Sequence, residues 1–188
     1  MVTVAPATFG MVRFDGDRIA ELAADTATRV GLADDMELHI DVEEASMLQR
    51  VEVVEAAGRR VVVRVQGGAF EDRKRSRHLS DEAVRAALAR VLYRVADRID
   101  PAFGRAPADA DLDLQQLTAW DAYSMGRAER ARLADQRGRR RYHFRNRHGF
   151  NDVADAVFER LWTASGLTWA DLERACAETA AVGRTVGV

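Results

Sequence analysis

Cysteine is almost missing from this chain of 188 residues, where Cys176 stands alone. One thiol excludes a disulfide framework and a cysteine-rich zinc site, and it fits a reducing, cytoplasmic compartment. Lysine is equally scarce, a single Lys74 beside 27 arginines. No run approaches the ~18 consecutive apolar residues of a membrane span, and the first six residues lack the basic start and apolar stretch of a signal peptide, so no membrane partner is expected. The sequence contains no His-Glu-x-x-His, no Gly-x-Ser-x-Gly and no Gly-x-Gly-x-x-Gly following a strand. The usual signatures of a metallopeptidase, an α/β-hydrolase and a dinucleotide-binding enzyme are therefore absent, and no cofactor is expected.

What is present describes a globular protein. Apolar residues make up 47% of the chain, charged residues 31%, and the formal charge is −2. A chain of this size is one domain that buries roughly 70% of its unfolded surface without covalent or metal staples. Alanine is also over-represented, at 33 residues, so arginine carries less meaning here than in a balanced composition. Its planar fork still pairs bidentately with carboxylate or phosphate.

The patterning predicts an α+β fold: an N-terminal antiparallel sheet of three or four strands with one helix, then a helical half packed on it. Residues 1–66 form the sheet-rich part. Phe9 to Phe14 reads weakly as a strand, and Asp15 caps a helix from Arg18 to Val30 that stops at Gly31. From Met36 to Val42 the apolar residues alternate strictly, the period of a half-buried strand. Val51–Val54 and Val61–Val65, around Gly58, read as a hairpin, which makes a three-stranded meander the economical arrangement.

Residues 80–188 read as helix. Ser80 caps a helix with the apolar stripe Val84, Leu88, Val91, Leu92, Val95 and Ile99, ended by Asp100-Pro101. A linker-like stretch spans 101–112. Helices follow over 113–134, 151–164 and 168–181, the last opened by Thr168 with Asp171 three residues on. Cys176 falls among alanines and reads as packing. Asp109, Asp111 and Asp113 fail as a calcium loop because Leu114 and Trp120 occupy the glycine and glutamate positions. The final helix pair is rejected as a duplex reader, since Asp171 and Glu173 at its start would be repelled by phosphate.

The most distinctive segment is 137–148. It holds Arg137, Arg139, Arg140, Arg141, Arg145 and Arg147, interleaved with Tyr142, His143, Phe144 and His148, without an acid. Arginines neutralise phosphates and aromatic faces stack on unpaired bases. The expectation is therefore a non-enzymatic protein that uses Arg139, Arg140, Arg141, Tyr142, His143, Phe144, Arg145, Arg147 and His148 to hold a polyanion, either nucleic acid or an acidic protein partner. The rival account is a solvated connection between helices.

A second basic cluster, Arg73 to His78, precedes the Ser80 cap. Asp81 and Glu82 occupy that helix terminus, and Gly67-Gly68 matches no phosphate-loop spacing, so no specific phosphate site is expected there. An acidic stretch at 34–55 offers another partner for the arginine tract, within one chain or across a homodimer acting as an assembly module. The strand carrying His39 and Asp41 on one face supports an alternative reading as an enzyme or metal-binding protein, although its polar face is chiefly what a solvated strand requires.

Overall fold

A computed structural model describes residues 1–185. The order of elements is β1 (Val2–Ala5), α1 (Gly16–Val30), β2 (Glu37–Glu43), β3 (Val51–Ala57), β4 (Arg60–Gln66), α2 (Asp81–Ile99), α3 (Leu114–Arg130), α4 (Arg137–His148), α5 (Asp152–Thr163) and α6 (Trp169–Thr185). The fold is mixed α+β, with a four-stranded sheet first and the helical half after it. The chain divides into two compact units, Met1–Ala96 and Asp97–Val188, with the boundary inside α2.

In the first unit the strands run in the order β1-β2-β4-β3. The sheet is not the antiparallel meander that the spacing predicts. Strands β1 and β2 are parallel, β2 and β4 are parallel, and only β3 and β4 form an antiparallel hairpin. Residues 9–14 are not a strand; the edge strand is Val2–Ala5, reached through the α1 crossover. Helix α1 begins where Asp15 accepts the amides of Asp17 and Arg18 and ends at Gly31, whose φ of 87° suits glycine.

The parallel β2–β4 pairing requires residues 44–50 to cross the end of β4 before β3 begins. Gly67 and Gly68 make room for that crossing. A Cβ on Gly68 would stand 2.1 Å from the Met47 carbonyl oxygen, while the Gly68 amide donates to the Ser46 carbonyl at 3.0 Å. The glycine pair is thus a crossing point of two chain segments, which accounts for it without a phosphate.

One face of the sheet is the core. Leu38, Ile40, Val42, Val61, Val63 and Val65 pack with Ile19 and Leu22 of α1 and with Val84, Leu88, Val91, Leu92 and Val95 of α2. Each fully buried aliphatic side chain of this kind contributes about 1.5–3 kcal/mol. The opposite face is polar: Glu37, Asp41 and Glu43 of β2 and Arg60 and Arg64 of β4 are exposed.

The second unit is built around α3, which contacts α4, α5 and α6. Its centre is aromatic, with Trp120 stacked on Phe103 at 5.3 Å and Trp169 against Trp120 at 5.3 Å. Asp97, 5% exposed, accepts the Trp120 indole N–H at 2.7 Å and hydrogen bonds from Arg127 Nη1 and Nη2 at 2.6–2.7 Å. Residues 101–112 are tied in and do not form a slack linker. Phe103 is buried and its carbonyl accepts the Trp169 amide at 2.7 Å. Arg98 donates to the Pro107 carbonyl at 2.9 Å and to Asp109 at 2.7 Å.

Candidate anion-binding surfaces

Segment 137–148 is a helix, α4, and not a loose connection. Helical geometry sorts its side chains by angle, so six arginines adjacent in sequence end up in different surroundings. Phe144 and His148, one turn apart, form the buried stripe. Phe144 is fully buried against Phe158, so it is not available to stack on an outside ligand. His148 is 4% exposed and stacks on Phe144 at 3.8 Å. Its Nδ1 meets Thr179 Oγ1 at 2.8 Å and its Nε2 meets the Gln115 carbonyl at 3.1 Å. Burial lowers its pKa, outweighing the Gln115 carbonyl and the Asp113 charge, which act in the other direction. These two residues belong to the core and not to a ligand site.

The arginines flanking that stripe are engaged by carboxylates of the same unit. Arg145 donates through Nε to Asp155 at 2.6 Å, and Arg141 reaches the same carboxylate at 2.8 Å. Hydrogen bonds from Arg145 and then Arg141 hold the Asp155 carboxyl well below the usual carboxylate range. Arg137 pairs with Glu159, and Arg140 with Asp121 at 3.3 Å. Arg137, Arg141 and Arg145 thus face Asp155 and Glu159 as a ladder, each set repeating at i, i+4. The acids paired with these four arginines within the unit come from α3 and α5.

The outer arc of α4 carries Gly138, Arg139, Tyr142, His143, Asn146 and Arg147. Arg139 is half-buried, and both it and His143 make contacts of their own. Tyr142 is 60% exposed, and Arg147 is exposed.

Three acids of the stretch 34–55 are paired with nearby arginines, and Glu44 accepts the Gly10 and Met11 amides. Asp35 pairs with Arg59 at 2.8 Å, Glu52 with Arg50 at 2.6 Å and Arg64 at 3.3 Å, and Glu55 with Arg60 at 3.5 Å. On β2, His39 is half-buried in register with Thr3 and Val62, and its Nδ1 lies 2.6 Å from Thr3 Oγ1. Asp41 is exposed on the same face. Among the described residues no group of three or more histidine, cysteine, aspartate or glutamate side chains is placed to hold a metal ion.

A cluster of cationic side chains without ion pairs to described carboxylates lies on the loop between β4 and α2. Its base is closed by the Glu71–Leu79 bridge, by the Asp72 amide donating to the His78 carbonyl at 2.8 Å, and by the Ser80 amide donating to the Phe70 carbonyl at 2.9 Å. Within it, the Lys74 amide donates to Asp72 Oδ1 at 2.7 Å, and Arg77 adopts a left-handed φ of 63°. Arg13 docks alongside, its amide donating to the Arg77 carbonyl at 2.7 Å and its guanidinium lying 3.5 Å from His78 Nε2. Arg13, Arg73, Lys74, Arg75 and Arg77 are all exposed, and none makes an ion pair with a described carboxylate. Of the two acids expected to repel an anion here, Asp81 is engaged by Arg18, which holds its carboxyl below the ordinary range, and Glu82 is exposed in the first turn of α2.

The cluster lies just before the Ser80 cap, where no specific phosphate site is expected from the sequence. The available signal was that Arg73, Lys74, Arg75 and Arg77 fall within five consecutive positions, a loop too short to bend each one back onto an acid. Cys176 is buried, and burial pushes its thiol up to about 12, in line with a packing role. No helix among the described residues is long and apolar enough to cross a membrane. Comparison with protein-family models, with characterised proteins and with solved structures finds no match for this chain.

Proposed function

We propose that the protein binds a polyanion, the phosphate backbone of nucleic acid, and that the ordered loop 73–78 together with Arg13 is its contact surface. One observation carries the proposal: five exposed cationic side chains stand together without a carboxylate partner among the described residues. Charges of one sign held this way generate a local positive potential that a chain of phosphates neutralises by releasing its counterions. The loop is pinned by backbone hydrogen bonds, so binding would not have to order it first. Most arginines of α4, by contrast, already have internal partners and serve the helical unit. A cytoplasmic setting, expected from the single thiol, is part of the proposal.

The test is fluorescence anisotropy of a labelled oligonucleotide across a range of salt. Five contacts to a single strand give a slope of log K against log salt near −3.5, and replacing Arg73, Arg75 and Arg77 by glutamine flattens it by about 2. The fold should be unaffected, because these side chains touch nothing that holds it. Absence of binding at low salt, or a slope the triple variant leaves unchanged, overturns the proposal.

A further inference from the structure

The turn after α4 brings two large aromatic rings together in solvent. Gly149 has a φ of 105°, and a Cβ there would stand 2.7 Å from the Asn151 side chain, so glycine is required. The turn places Phe150 edge-on to Tyr142, with ring centroids 6.2 Å apart at 69°. His143 also lies edge-on to Tyr142, at 6.2 Å and 71°. Tyr142 is 60% exposed and Phe150 65% exposed. Arg147 and Asn146 are exposed on the same helix, which has no acidic residue. The next acid in sequence, Asp152, sits in the first turn of α5, where it complements that helix's dipole.

Two aromatic rings exposed side by side give a surface that a partner can cover. The absence of acids on α4 favours a partner carrying negative charge, and flat exposed rings favour one carrying flat faces. Unpaired nucleobases on a phosphate chain supply both. We infer that the Tyr142–Phe150 pair on the outer face of α4, with Arg147 beside it, stacks nucleobases, so the polyanion is single-stranded nucleic acid. This rests on the polyanion reading above and specifies its ligand class. The arginine pairs and the buried Phe144 and His148 on the inner side fix the helix so that the rings are held in place.

The experiment compares full-length protein with Tyr142→Ala/Phe150→Ala and with Tyr142→Phe, using labelled oligothymidylate, a blunt DNA duplex and heparin. Both side chains are mostly exposed, so truncation should leave the melting curve unchanged. The double alanine variant should bind oligothymidylate at least roughly tenfold more weakly. Tyr142→Phe, which keeps the ring, should bind like the parent. Affinities for duplex and heparin, which offer no unpaired bases, should not move. Equal losses for heparin, or no loss for oligothymidylate, overturn the stacking inference and leave the cationic loop standing. Failure of the parent protein to bind any of the three overturns the polyanion reading and this inference together.

Discussion

Replacing Gly126 with alanine is a sharp test of how the helical unit is packed. Gly126 lies inside α3, where an alanine would ordinarily stabilise by about 1 kcal/mol through helix propensity. Here a Cβ would stand 2.0 Å from the Trp162 carbonyl oxygen and 2.7 Å from its carbonyl carbon, both backbone atoms of α5. To restore an ordinary contact of 3.4 Å, the two helices must part by well over an ångström. Overpacking of this kind costs about 3 kcal/mol at the upper end of its usual range. The same carbonyl accepts Arg130 Nη1 at 2.6 Å, and displacing it forfeits about 1 kcal/mol more. The net expectation is a loss of about 3 kcal/mol, the steric term outweighing propensity. Urea unfolding followed by tryptophan emission reads this directly, because Trp120, Trp162 and Trp169 all lie in the helical unit. Gly138→Ala is the control: nothing lies within 4 Å of its Cβ position on α4, so that variant should be neutral or slightly stabilised. A Gly126→Ala protein as stable as the parent would refute the close α3–α5 approach.

Two further outcomes follow from buried groups and from the crossing of chain segments. Burial lowers the His148 pKa from the ordinary value of 6.5, so the fold favours the neutral ring. The unfolded chain therefore binds the extra proton first, so stability is complete above about pH 6.5 and falls by up to about 1.4 kcal/mol per unit as pH drops below it. The midpoint of urea unfolding should decrease between about pH 7 and pH 5.5 in the parent and decrease less in His148→Gln; parallel decreases would show that another group is responsible. The Asp155 carboxyl, held low by Arg145 and Arg141, loses its contribution only under much more acidic conditions, so the two effects separate. In the first unit, Gly68→Ala places a Cβ 2.1 Å from the Met47 carbonyl oxygen and should destabilise the crossing of residues 44–50 over β4 by about 1–3 kcal/mol. That unit contains no tryptophan, so far-UV circular dichroism is the readout, and an unchanged melt would argue against the parallel β2–β4 pairing.

Local signals carried most of the element boundaries. The Asp15 cap and Gly31 stop delimit α1, the period-two alternation marks β2, and the Ser80 cap and the reciprocal Thr168–Asp171 bonds open α2 and α6. Strand pairing was less legible, because alternation says which face is buried but not which neighbour is bonded. Val2–Ala5 is too short to show a period, whereas Phe9 to Phe14 is apolar because Val12 is buried and Phe9 and Phe14 pack edge to face. Helix α4 was obscured by its composition, since its buried stripe consists of only Phe144 and His148. Its charge ladder did leave a trace: arginines at 137, 141 and 145 answer acids at 155 and 159 across a short turn, the spacing of two helices in contact.

The number of arginines in a segment says little about how many can meet an outside anion; what counts is which carboxylates the packing brings within reach. On α4 the helix directs Arg137, Arg140, Arg141 and Arg145 toward Asp121, Asp155 and Glu159. On the 73–78 loop no such partners arrive: Asp72 is committed to the Lys74 amide and Asp81 to Arg18, leaving the cations directed outward. In water, repulsion among exposed like charges is weak and screened by salt, so the fold tolerates the cluster. Neutralising the α4 arginines would leave Asp155 without the partners that secure α5, whereas neutralising the loop removes no contact within the fold. Any binding lost with the loop charges is therefore attributable to the ligand itself, which makes the loop the place where recognition and stability can be measured apart.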